Sequence, residues 1–233
     1  MHLVEVCVGV NIYFRIYTKK NYLFIFILYR IIIMCWNASV SLNTYIFGLF
    51  ASSFAYYNGV INLIGFIYYQ SFIIMQLIEY FIWSKTFSNK LLSQIAFFFI
   101  ICQPIFNILK IETQPKLIPY LLVAYFIFIA ILYIVVIPLH TIEFSTVPSK
   151  NGHLSWKWLD VNIYIIIMWF SFLSLYWIID RIYILFAIIT TFLIISIILY
   201  KETNTWGSMW CWIANLTSFC LIFLVFYKDF CKI

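Results

Sequence analysis

The sequence predicts an all-α polytopic membrane protein, a transmembrane helix bundle of about seven spans. Three observations carry this. Charged residues are only 9% of the chain, against 66% hydrophobic, whereas soluble domains carry about 25% charged residues. Mean hydropathy is +1.03, so a water-soluble fold could not cover its own exterior. The apolar runs are continuous and about twenty residues long, the length a helix needs to cross about 30 Å of hydrocarbon. Barrel strands would instead alternate polar and apolar residues.

The spans are expected at 39–57, 60–83, 91–109, 117–139, 161–179, 182–200 and 207–227. Asn58-Gly59 is a turn dipeptide between the first two. Polar connectors follow at 84–90 and 110–116. The longest, 140–160, holds Pro148 and Asn151-Gly152. Only Asp180-Arg181 separates the fifth and sixth runs. One helix over 161–200 would measure about 60 Å, twice the hydrocarbon thickness, with a charged pair at its centre. A tight hairpin is therefore expected. Trp83, Trp156, Trp158, Trp177 and Trp206 fall near span ends and read as an aromatic belt.

Residues 1–33 stand apart from this 34–233 domain. Asn21–Ile33 is apolar but short and carries Arg30. The segment reads as an upstream extension or a weak extra apolar helix. With it, Arg15, Lys19, Lys20 and Arg30 join Lys85, Lys90, Lys150, Lys157 and Lys201, against Lys110, Lys116, Arg181, Lys228 and Lys232. That excess points the N-terminus to the cytoplasm. Without it the two sides are even and orientation is open.

The net charge of +6 is spread between apolar runs with no basic block, which suits anionic headgroups rather than nucleic acid. The six cysteines form no C-x-x-C pair and no disulfide framework. His140, Glu143 and His153 share a connector but lack a preorganised ligand pattern such as H-E-x-x-H. No metal and no cofactor is expected. There is no P-loop and no dinucleotide fingerprint. None of the three histidines lies in a span, unlike those of seven-helix zinc hydrolases. Residues 207–227 hold no lysine that could carry retinal. These absences argue against an enzyme.

Polar residues in spans are expensive in lipid and mark where activity or packing is decided. In the second run Gln76, Glu79 and Trp83 share a helix face, together with Asn62 and Tyr69. Glu79 is the only carboxylate inside any expected span. It is either a buried acid for a cation, proton or substrate amine, or an acid reaching headgroups or Lys85. In the third run Pro104 should kink the helix and free the carbonyl of Ile100, beside Gln103, Asn107 and Lys110 at i, i+4 and i+7. Those amides either line a polar cavity or bond across helices. In the seventh run Cys211, Asn215 and Ser218 share a face.

Gln76, Glu79, Gln103, Asn107, Cys211, Asn215 and Ser218 are thus the candidate ligand- or ion-binding residues. If they converge on one cavity, the protein is a channel, transporter or small-ligand-binding bundle. If they only specify packing, it is a non-enzymatic structural or interaction protein. An intramembrane enzyme using Glu79 is the third reading. The expected partners are the lipid bilayer and, on the first reading, a small solute or ion.

Met34-Cys35-Trp36-Asn37-Ala38-Ser39, Gln76-x-x-Glu79-x-x-x-Trp83 and Trp210-Cys211-Trp212 together resemble an uncharacterised family of multi-span membrane proteins of giant (nucleocytoplasmic large) DNA viruses. The resemblance covers about residues 34–227. It implies a membrane fold and a virion or host membrane, and it supplies no activity. Asn37-Ala38-Ser39 is also a glycosylation sequon, usable only from a lumenal side.

Overall fold

The computed structural model describes residues 37–140, 142–209 and 211–230. Residues 1–33 and the questions attached to them lie outside that range. The described chain is mostly helical: α1 (Ala38–Tyr57), α2 (Leu63–Ser84), α3 (Asn89–Leu109), α4 (Ile118–Ile131), α5 (Ile137–His140), α6 (Ile163–Ile179), α7 (Tyr183–Tyr200), α8 (Trp206–Met209) and α9 (Cys211–Phe230). Four helical segments are long and apolar enough to cross a membrane: Leu63–Ser84, Asn89–Leu109, Pro115–Val135 and Tyr183–Tyr200. Ile163–Ile179 is apolar but shorter, as is the apolar part of α9, Ala214–Tyr227.

Local chemistry sets the ends. Asn37 caps α1 by accepting the Val40 amide at 3.0 Å, and Asn62 caps α2 by accepting that of Gly65 at 2.8 Å. Between them Asn58-Gly59 turns the chain, with Gly59 at φ 64°. The Asp180-Arg181 turn is real: α6 ends at Ile179, Arg181 adopts φ 61°, and α7 starts at Tyr183. In α4 the ladder widens into a π-helical segment, Leu132–Val136, just before Pro138. A proline lacks the N–H an α-turn needs, and a π-bulge is one way to absorb it.

α2 and α3 are the central helices. α1 packs on α2, and α9 packs chiefly on α1 and touches α2; α4 and α6 pack on α3; α7 lies against α6. The α1 face that meets its neighbours is made of small residues: Ser41, Thr44, Gly48, Ala51, Ser52 and Ala55 are all buried. A Cβ on Gly48 would come within 2.2 Å of Ile73 Cδ1, so this glycine is what allows α1 and α2 to approach. Ser52 holds the same seam by accepting Gln70 Nε2 at 2.6 Å.

The bundle is apolar outside and polar within. Phe50, Phe98, Phe126, Ile167, Ile184 and Phe223 are exposed, one from each of six helices, whereas Gln76, Glu79 and Asn107 are 0% exposed.

The connector 140–160 is more than a polar loop. Thr146–Pro148 (β1) and Leu154–Trp156 (β2) pair antiparallel, turning at Gly152 with φ 80°. Trp156 and Trp158 are 1% exposed and pack with Phe97, Ala96 and Leu132. The belt expectation is corrected for these two residues, and for Trp177 and Trp206, which are also buried. Their rings complete the protein core instead of meeting headgroups. Trp156 donates to Ser208 Oγ at 2.9 Å, and Ser208 in turn donates to the Leu154 carbonyl. Large buried rings are stable when their polar edge finds such a partner.

Candidate functional site: the buried polar seams and the cavity beside them

Six of the seven candidate residues have described side chains, and all six are buried: Gln76, Glu79, Asn107 and Ser218 at 0% exposure, Gln103 and Asn215 at 1%. Cys211 opens α9, and its side chain lies outside what is described. The structure places Gln103 and Asn107 on a seam along α3 and Ser218 on a seam between α2 and α9.

The first seam runs down α3. Gln103 Nε2 donates to the Ser71 carbonyl of α2 at 3.2 Å. Asn107, one turn on, donates its amide to the Leu173 carbonyl of α6. Lys110 ends the stripe with its ammonium 4.8 Å from the ring centre of Tyr68 and 4.2 Å from that of Tyr176, a cation–π arrangement between the same two helices. The carbonyl that Pro104 frees is also used: Trp169 Nε1 donates to Ile100 O at 3.0 Å, and Tyr125 donates to Ile101 O at 2.7 Å. The proline therefore hands one backbone acceptor, Ile100 O, to α6, and the neighbouring Ile101 carbonyl takes a further bond from α4.

The second seam joins α2 to α9. The Tyr69 hydroxyl lies 2.5 Å from the Ala214 carbonyl and 2.6 Å from Ser218 Oγ, which itself lies 2.8 Å from that carbonyl. Two hydroxyl protons serve three close contacts. Asn215 is one turn from Ser218.

Glu79 and Gln76 lie further along α2; Glu79 is eight residues beyond Ser71, about 12 Å along the axis. Both are engaged by interactions of their own, as is Asn215. The alternative in which Glu79 reaches headgroups is corrected, because the carboxylate is wholly enclosed by protein while Lys85 is exposed.

Beside the first seam is a cavity of about 70 Å³ between α3, α4 and α6, roofed by the connector and α8. Phe97, Leu132, Trp158, Ile166 and Trp206 line it, and Gln103 is the candidate residue that reaches it. No lining residue is charged. Two lining residues hold buried polar atoms that make no hydrogen bond: Gln103 Oε1 and Trp158 Nε1. A smaller apolar cavity, about 60 Å³, lies between Tyr68, Phe72, Trp177, Ile189 and Ala214.

Both ends of the bundle are tied. At one end Asn89 Nδ2 donates to Thr146 O at 2.6 Å and its Oδ1 accepts the Thr146 amide at 2.9 Å, fixing the hairpin to α3. His153 is buried there, ring to ring with Tyr200, and burial pushes its pKa down. Among the described residues no three His, Cys, Asp or Glu side chains come together. At the other end Asp180 accepts the amides of Glu112 and Thr113 at 3.0 and 3.2 Å and the Thr113 hydroxyl at 2.5 Å. Burial pulls the Asp180 carboxyl upward, but these hydrogen bonds and the Lys110 charge outweigh it and hold it below the usual value. Burial pushes Lys110 down to about 8, against the opposing pull of Glu112 and Asp180.

Sequence reasoning missed Trp158 and the roof it belongs to. The available signal was Asn151-Gly152, a hairpin dipeptide, followed by the period-two apolar series Leu154, Trp156, Trp158. Tested against protein families, curated proteins and solved structures, the chain matches none.

Proposed function

We propose that the protein is a multi-pass integral membrane protein of seven spans that binds a small neutral ligand within the bilayer. The membrane reading is supported by the inverted surface: large apolar side chains face outward on α1, α6 and α9 as well as on the four longest apolar segments. The Asp180 contacts support the count, since they bring the α6–α7 turn to the α3–α4 turn, the same end that alternating spans require.

The observation that carries the ligand reading is the uncharged cavity containing Gln103 and Trp158. Apolar pockets with a few polar groups are the usual form of small-molecule sites. Conduction is less well supported, because Gln103, Asn107 and Ser218 have their bonds directed onto helix backbones and not along a continuous polar path.

The test uses the full chain in detergent or nanodiscs. Xenon, as a small apolar probe, should change the fluorescence of the cavity tryptophans and raise the unfolding temperature. Ile165→Phe, which fills the cavity, should abolish both effects while the protein stays folded. No response to xenon from folded wild type would sink the proposal. Liposome flux of wild type and Glu79→Gln should be equal; a flux lost only in the variant would favour a transporter.

The second reading, a non-enzymatic structural or interaction protein of a viral or host membrane, is favoured by the side-chain-to-backbone bonds of Gln103, Asn107 and Tyr69. It expects no ligand response and a large effect of Asn107→Leu on folding.

A further inference from the structure

An open cleft of about 700 Å³ lies at the start of α3, between that helix and residues 142–147 of the connector. Such a volume is within the range of small-molecule sites, about 300–1,000 Å³. Asn89, Lys90 and Gln94 form its polar wall on α3, and Glu143 and Ser145 form the one on the connector. The two walls are fixed to each other. Asn89 bonds twice to Thr146, and Ser93 Oγ lies 2.8 Å from Thr146 Oγ1. The cleft is therefore built into the joint between helix and hairpin.

Its charged groups are accessible: Lys90, Gln94 and Glu143 are all exposed. Among the described residues Lys90 enters no ion pair, although Glu143 lines the same cleft. Ser145 Oγ donates to Glu143 Oε1 at 2.7 Å, which orients the carboxylate and leaves Oε2 to accept from a ligand.

One cation and one anion on facing walls select a zwitterion. A purely anionic ligand would meet Glu143, and a purely cationic one would meet Lys90. A primary ammonium donates charge-assisted hydrogen bonds to a carboxylate. A quaternary ammonium has no N–H and relies on aromatic faces. The cleft offers a single ring, Phe144, which is packed edge-on to Phe97 at 5.3 Å. The ligand amine is therefore primary.

The rest of the ligand is read from α3. Lys90, Gln94 and Phe98 recur at i, i+4 and i+8, one row about 12 Å long. The row passes from ammonium to amide to an exposed ring, with Leu91 and Ile95 exposed beside it. It runs down a helix long and apolar enough to cross a membrane. A charged cleft at the end of such a helix, continued by an apolar strip, has the outline of a membrane lipid. In a lipid the anion next to a primary amine is a phosphate diester.

We infer, resting on the membrane reading above and not on the apolar cavity, that the cleft is a headgroup site for a phospholipid of the phosphatidylethanolamine kind. Lys90 and Gln94 hold its phosphate, and Glu143 holds its ammonium.

The experiment titrates the full chain in detergent with phosphatidylethanolamine, phosphatidylcholine and phosphatidylglycerol of identical acyl chains. Bound lipid is counted by native mass spectrometry. Wild type should bind phosphatidylethanolamine about fivefold tighter than phosphatidylcholine, with phosphatidylglycerol also below it. Glu143→Gln should bring phosphatidylethanolamine down to the phosphatidylcholine level. Lys90→Gln should weaken both by the same factor. Equal binding of these two lipids by wild type, or a preference that survives Glu143→Gln, would overturn the inference. So would displacement of the lipid by an equal concentration of free phosphoethanolamine, which would assign the cleft to a soluble zwitterion. Should Glu143→Gln unfold, stepwise methylation of the lipid amine gives the same contrast on wild type. Affinity should drop at the third methyl, where the last N–H is lost; a drop complete at the first methyl would overturn the bond to Glu143. Lost lipid selectivity with the xenon response intact removes this inference alone. A chain that stays dispersed without detergent removes the membrane reading beneath it.

Discussion

Trp169 on α6 donates its indole N–H to the carbonyl of Ile100 on α3, the acceptor left without a helical partner by Pro104. A backbone defect in one helix is thereby converted into a contact between two. Within a packed helix interface no water is available for that carbonyl, so the bond removes a cost that the proline alone would impose.

Trp169→Phe should destabilise the protein by about 1–3 kcal/mol. Pro104→Ala restores an N–H that the Ile100 carbonyl can accept within α3. The double variant should therefore lose less than the sum of the two single changes. Unfolding in mixed micelles gives the cycle; strict additivity would show that the two residues do not share the carbonyl.

Gly48→Ala should destabilise the α1–α2 seam by about 1–3 kcal/mol, because the new Cβ meets Ile73 Cδ1 at 2.2 Å. Ile73→Val removes that methyl. Combining the two should recover much of the loss, read by thermal unfolding. A Gly48→Ala protein as stable as wild type would mean that α1 shifts freely.

Asn107→Leu should cost about 1 kcal/mol, the scale of interhelical polar contacts in membranes. It removes the donor to Leu173 O and also a buried acceptor, Oδ1, that makes no hydrogen bond. Asn107→Asp keeps the shape but loses the donor and adds a charge or a proton, so it should be the worse of the two. The reverse order would argue against a backbone-bridging role.

The turn that Asp180 holds should respond to pH at both extremes. Its carboxyl is depressed below 3.8 when folded. The stabilisation is therefore complete at neutral pH and is lost as pH falls through the depressed value. Asp180→Asn should flatten this acid limb. Lys110 is depressed to about 8 from 10.5, so between those values the unfolded chain binds more protons and stability should rise with pH. Lys110→Met should abolish that rise; a rise that persists would assign it elsewhere.

Much of the fold is legible because long apolar runs obey simple rules. Run length and the turn signals at Asn58-Gly59 and Asp180-Arg181 give the helix order. The proline at 104 identifies the carbonyl in need of a partner. Trp169, which meets that need, could not be chosen, because partner choice depends on how α6 rotates against α3. The six polar candidates with described side chains are buried. Which neighbouring backbone Gln103 and Asn107 meet follows from helix packing, on which a single stripe of spacing is silent. The connector was misread for a different reason: its polar residues dominate composition, whereas three alternating apolar residues decide its structure.

The two hydrogen bonds between Asn89 and Thr146 have a mechanical consequence. They bind the roof hairpin to the first turn of α3, and Ser208 of α8 is bound in turn to Trp156 and Leu154 of the same hairpin. Hairpin and α8 are therefore stapled to α3 as one cap, and lifting any part of it breaks several hydrogen bonds together.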